Sequence, residues 1–141
     1  MRDRMAGFTM IELMVVVLII AVLAAILVPF LTARLEAARW SEGKAGCGTL
    51  ATAIRAMWAE QGEEDWVAAT APSTYLTEGD LRGKYFSIGD YTITFGAATA
   101  EYPVAYTISV GQPKDPTSTV TWTKAGYSLD YTGKWTELTG P

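Results

Sequence analysis

The residues with chemistry to offer stand at the very start of the chain. Glu12 heads the stretch MAGFTMIELMVVVLIIAVLAAILVP, Met5 to Pro29, and from Leu13 to Val28 no side chain is polar. A charged carboxylate inside a membrane helix costs roughly 2.5–3.5 kcal/mol, so such a residue calls for a named partner. The chain can supply one by cleavage. A cut between Gly7 and Phe8 creates a free α-amine, cationic below pH ~8, four residues before Glu12. Between two copies, the amine of one would meet the carboxylate of the next and relieve both charges.

The apolar run admits two other readings. A cleaved secretory signal peptide should end in a small-x-small site such as Ala-x-Ala. The nearest literal match, Ala51-Thr52-Ala53, lies twenty residues beyond the run, and Glu12 fits badly in its apolar region. An uncleaved signal anchor has no orientation from loop charge, because Arg2 and Arg4 face Arg34, Arg39 and Lys44 across the run. It also leaves Glu12 unexplained.

Gly7-Phe8-Thr9-Met10-Ile11-Glu12-Leu13, followed by the apolar run and Pro29, closely resembles the N-terminal motif of type IV pilins and type II secretion pseudopilins. The resemblance implies cleavage after Gly7 by a membrane-embedded prepilin peptidase and N-methylation of Phe8. It implies that Glu12, with the Phe8 amine, guides docking into a helical filament of identical subunits. Partners follow from it too: an inner-membrane assembly platform with its ATPase, and membrane lipid before assembly. Pro29 by itself reads as a kink in the helix; the resemblance implies more, since pilins keep a proline there and can unwind just before it, whereas Ala21 occupies a place where relatives often have glycine.

Other chemistry is scarce. Formal charge is −4 and no basic stripe is visible, so nucleic acid is not an expected partner. The chain has no histidine, which removes the commonest general base and zinc ligand. Nucleophile elbows, phosphate loops and paired metal-ligand cysteines do not occur. The expectation is therefore no catalytic residue, no cofactor and no metal. Glu63-Glu64-Asp65 offers oxygen ligands to a hard cation but reads better as a solvated loop. Asp80, Asp90, Asp115 and Asp130 fall where turn chemistry accounts for them. Cys47 cannot close an intramolecular disulfide and reads as a small buried hydrophobe, the alternatives being a reactive thiol or an intersubunit bridge.

These residues need elements to hold them. The run to Leu31 approaches the ~20 residues a helix needs to cross a bilayer. Beyond it Leu50, Ile54 and Met57 recur at helical spacing, with Gly43 and Cys47 on the same face. Three glycines, Gly43, Gly46 and Gly48, each cost ~1 kcal/mol in a helix interior, which points to bulky head side chains lying against a small-residue face, or else to a kink. Gly62 is a natural helix stop. Residues 71–84 read as an irregular connection. Strands are expected around Tyr91–Phe95, Val104–Val110, Val120–Trp122, Tyr127–Tyr131 and Lys134–Leu138, with turns at Lys124-Ala125-Gly126 and Thr132-Gly133. Eleven of sixteen aromatics lie from Tyr75 onward, where sheet packing accounts for most of them.

The predicted class is α+β: a long N-terminal α-helix, half membrane or filament core and half amphipathic, packed on a small antiparallel sheet. The expected divisions are a leader (1–7), an apolar helix (8–31), its amphipathic continuation (32–61) and a head (62–141). The leading function is a subunit of a type IV pilus or pilus-like extracellular filament, drawn from a single-pass inner-membrane pool. The alternatives are a pseudopilin in a periplasmic pseudopilus, and a membrane-tethered binding module that stays monomeric. The Asp115-Pro116-Thr117-Ser118 stretch lacks the tryptophan-glycine pair usual in the calcium loop of major pseudopilins, and one cysteine cannot make the C-terminal disulfide loop of many pilins.

Overall fold

The structure, a computed structural model, describes residues 8–65 (side chains to 62), 68–97, 103–113 and 122–139. Helix α1 (Met10–Asp65) comes first, and a four-stranded sheet comes last. The chain divides into two compact units between Ala37 and Ala38.

In the first unit, α1 is apolar on every side, and its most apolar window is entirely exposed in the single chain. Met10, Ile11, Leu18 and Ile26 all stand clear of any partner surface. A helix with no polar stripe has no wet face to present. By length and composition this helix can cross a membrane.

In the second unit, α1 becomes one-sided. Trp40, Gly43, Cys47, Leu50 and Ile54 are buried, with Met57 half-buried beyond them. Steps of three and four along that series draw one seam down the helix. The seam packs on an antiparallel meander: β1 (Tyr91–Phe95), β2 (Tyr106–Gly111), β3 (Gly126–Asp130) and β4 (Trp135–Leu138). Register is fixed by Ile93 opposite Ile108 and Ile108 opposite Leu129. Alternation then sends Tyr91, Ile93, Tyr106, Ile108 and Val110 inward. Burying one such aliphatic side chain contributes roughly 1.5–3 kcal/mol, and this shared seam supplies the unit's core. β4 differs, with Trp135, Thr136 and Glu137 exposed and Leu138 half-buried.

The seam explains two of the three helix glycines. A Cβ on Gly43 would lie 3.1 Å from Phe86 Cζ and 3.2 Å from Val110 Cγ2, and one on Gly46 would strike the Tyr91 ring and hydroxyl. Gly48 faces open space, so close approach does not account for it. Non-helical dihedrals inside α1 fall at Gly62, whose φ of 77° suits glycine, consistent with its reading as a stop.

Local structure departs from the expected pattern in two places. Residues 71–84 are more ordered than an irregular connection: η1 (Pro72–Thr74) is a single 3₁₀ turn and α2 (Glu78–Leu81) a short helix. The Thr77-x-x-Asp80 capping box drives the second, because the Asp80 carboxylate accepts from Thr77 N and Oγ1 at 2.9 and 2.6 Å. Ser87 and Asp90 repeat the device ahead of β1, over the 3₁₀ turn η2 (Ile88–Asp90). Trp122 is the second departure, since it belongs to no strand and packs its ring in the core beside Trp40. Val120 and Asp115 lie outside the described residues.

The turn at Thr132-Gly133 joins β3 to β4, with Gly133 at φ 88°. Asp130 Oδ1 gathers Thr132 Oγ1 at 2.6 Å and the backbone N–H groups of Thr132 and Lys134 at 2.9 Å each. The Thr132 hydroxyl, then the Lys134 N–H, holds this carboxyl below the usual aspartate range. A lowered folded value stabilises above the ordinary carboxylate range and fades as pH falls through the lowered value. Asp130→Asn should therefore flatten the acid limb of a stability-versus-pH curve, read by chemical denaturation between pH 2 and 6.

Gly46→Ala should lower stability by about 1–2 kcal/mol, overpacking against Tyr91 outweighing the gain in helix propensity. Gly48→Ala should raise it by about 0.5–1 kcal/mol. Denaturant unfolding of the detergent-solubilised chain, followed by near-UV circular dichroism, checks both signs.

Candidate functional site

The site is built at the first turn of α1. Thr9 precedes the helix, and its Oγ1 accepts the Glu12 N–H at 3.3 Å. Glu12 Oε2 in return accepts Thr9 Oγ1 at 3.3 Å and Thr9 N at 3.5 Å. This is a capping box, with two orphan donors of the helix start satisfied reciprocally. Glu12 thus has a role inside its own chain, and the Thr9-x-x-Glu12 spacing is its signal in the sequence. The box orients the carboxylate but does not neutralise it. Among the described residues no lysine or arginine pairs with Glu12.

Phe8 is exposed just ahead of the box, so the amine that cleavage would create and the carboxylate stand at the same end of α1. Gly7 and the rest of the leader lie outside the described residues. At Pro29 the dihedrals remain helical, and Thr32 Oγ1 donates to the Pro29 carbonyl at 2.9 Å. The Arg34 guanidinium sits 5.0 Å from the Phe30 ring centroid, at the end of the apolar run.

Residues 2–28 match the family model for the prokaryotic N-terminal methylation motif. The chain carries the hallmark of type IV pilins and pseudopilins. The match supports a pilin-like or pseudopilin precursor without separating pilus from type II secretion, and it belongs to structural proteins rather than enzymes. It implies processing by prepilin peptidase, and with the apolar helix it fits a precursor anchored in the inner membrane. Comparison with curated proteins and with solved structures returned no match.

The pilin-like chain also has a polar device in its second unit that spacing did not reveal. Glu42, half-buried on α1, accepts the N–H groups of Tyr85 and Phe86 at 2.7 and 2.9 Å from a single carboxylate oxygen. Gly83 leaves room for it, since a Cβ there would strike the Glu42 carboxylate. The loop so held sets Phe86 against Trp40 at 5.3 Å between ring centroids, and Trp122 and Tyr127 close round the same indole at 4.9 and 5.3 Å. Trp40 is thus a core residue.

Cys47 is wholly buried, and desolvation pushes its thiol up to about 12. A thiol so placed is inert and cannot reach a neighbouring copy. The Glu63-Glu64-Asp65 side chains lie outside those described, and no cluster able to hold a metal occurs among the described residues.

Glu42→Ala should cost about 2–4 kcal/mol, since it leaves two half-buried N–H groups without an acceptor. Glu42→Gln keeps one carbonyl and should lose less than half as much. Hydrogen exchange at the Tyr85 and Phe86 amides checks both, with faster exchange expected there before the rest of the sheet.

Proposed function

We propose that the chain is the structural subunit of a type IV pilus or pilus-like extracellular filament. Prepilin peptidase cuts after Gly7, Phe8 is N-methylated, and the subunit waits in the inner membrane as a single-pass protein. An assembly platform and its ATPase then move it into a helical homopolymer. One observation carries the reading: within the motif over residues 2–28, Glu12 stands with no ion-pair partner among the described residues at the head of a helix that is apolar all round.

The physics of transfer supports it. Each methylene kept out of water is worth roughly 0.8 kcal/mol, so the helix of residues 8–31 is stable in lipid or in a bundle of its own kind, and nowhere wet. Glu12 separates the two locations. In lipid its charge is a penalty, whereas beside the Phe8 amine of a neighbouring copy it forms an ion pair. Assembly gains what insertion lost. Pro29 supplies a place where the helix can loosen on entering the polymer, because the Ala25 carbonyl has no N–H four residues on to receive.

A pseudopilus of a type II secretion system would use the same first helix and remains the second reading, on the same motif. A tethered monomeric binding module would keep an intact N-terminus.

Glu12→Leu should insert and be cleaved at the wild-type rate yet yield at least tenfold fewer sheared fibres. Mass spectrometry should find N-methylated Phe8 at the mature terminus of both proteins. Normal fibres from Glu12→Leu, or a retained Met1 in the wild type, would overturn the assignment.

A further inference from the structure

Where the last turns of the α1 seam meet the start of β2, a hollow of about 310 Å³ opens beside the core. Trp58 follows Arg55 by three residues, so both come to one face of α1. Tyr106 opens β2, with Pro103 and Val104 just ahead of it, and Tyr131 follows β3. Both backbone groups of Tyr131 hold this wall in place. Its N–H donates to the Tyr106 carbonyl at 3.0 Å, and its own carbonyl accepts Arg55 Nη2 at 3.1 Å. The hollow lies close to the lower bound of the roughly 300–1,000 Å³ usual for ligand pockets. Apart from one cation and two phenol hydroxyls, the side chains that line it are ring and aliphatic surface.

Two groups in that lining lack what their chemistry asks for. Arg55 is exposed, and among the described residues no carboxylate pairs with it. None of the residues lining the hollow is acidic. Asp130 is near enough to act on Tyr106, but its Oδ1 is taken by the Thr132 hydroxyl and the Lys134 N–H. Tyr106 is only 2% exposed, and its hydroxyl has no hydrogen-bond partner among the described residues. Burial pushes that hydroxyl above the usual tyrosine range; Arg55 pulls against it without reaching hydrogen-bonding geometry. A buried polar group left unpaired is costly and calls for an explanation. An acceptor brought in beside Arg55 would satisfy guanidinium and hydroxyl together.

We propose that this hollow binds a small aromatic carboxylate, its ring against Trp58, Tyr131 and Val104 and its carboxylate on Arg55 and the Tyr106 O–H. The ligand class follows from the composition of the lining. One cation amid mostly apolar surface suits one anionic group on a planar apolar body. Arg55 keeps donors to spare after bonding Tyr131, since a guanidinium carries five N–H groups and takes a carboxylate through two of them. Held by a single bond at the surface, its head shifts to admit the carboxylate to the hydroxyl. A sugar acid would bring several hydroxyls that this lining leaves to water. The site lies wholly within the second unit, so it does not depend on the filament reading.

Titration calorimetry of the detergent-solubilised chain with benzoate and with indole-3-carboxylate should show one site per chain. Indole-3-carboxamide, of the same shape without the charge, should bind at least tenfold more weakly than the acid. Arg55→Gln should weaken carboxylate binding at least tenfold, and Trp58→Ala at least fivefold. Tyr106→Phe should weaken it at least threefold while leaving the denaturant midpoint unchanged or raised, because it deletes a buried hydroxyl that bonds nothing. A lowered midpoint with unchanged affinity would make that hydroxyl purely structural and overturn its part in the site. Equal affinity for acid and amide, wild-type affinity in Arg55→Gln, or no binding of either acid at millimolar concentration would overturn the proposal. Glucuronate binding more tightly than both aromatic acids would overturn it in favour of a saccharide site.

Discussion

One helix has to satisfy two surroundings, and the rest of the molecule follows from that demand. Up to Leu31 every face of α1 is apolar, while from Trp40 onward a single seam is. Only the seam is answered within the chain, by the inward residues of β1, β2 and β3. The earlier surface is left for lipid or for other copies. A fold of this kind is complete in one part and unfinished in another by construction.

The finished part depends on how closely sheet and helix can approach. Gly43 and Gly46 remove the side chains that would hold Phe86, Val110 and Tyr91 away. Glu42, next to Gly43, is a polar group where an apolar one would be expected, and it is tolerated because its carboxylate is satisfied by two backbone donors. The aromatic group around Trp40 then closes over a loop that this single acid has positioned.

Much of this was legible in the sequence, and for identifiable reasons. The apolar run, the Leu50-Ile54-Met57 spacing and the alternation in β1 and β2 are periodic, and periodicity is what burial on one face imprints. The motif from Gly7 to Leu13 was legible because several unlike residues coincide in it. Contacts between residues distant in sequence were not. Glu42 bonds a loop more than forty residues away, and nothing local to either partner announces it. Trp122 looked like a strand residue because it sits among threonines, yet its ring goes to Trp40, a tertiary preference that overrides the local pattern. The Thr77, Ser87 and Thr9 boxes are visible as spacings. Their acids also fit turns or, for Glu12, an intersubunit contact, so the spacing alone does not single out the cap.

β4 ends the sheet with only four residues, wet on three of them, and carries Glu137 within it and Lys134 just before it. An outermost strand so brief and so charged is a poor template for a strand from another molecule. At the β4 side of the sheet, a head therefore offers little for a second copy to extend by strand pairing.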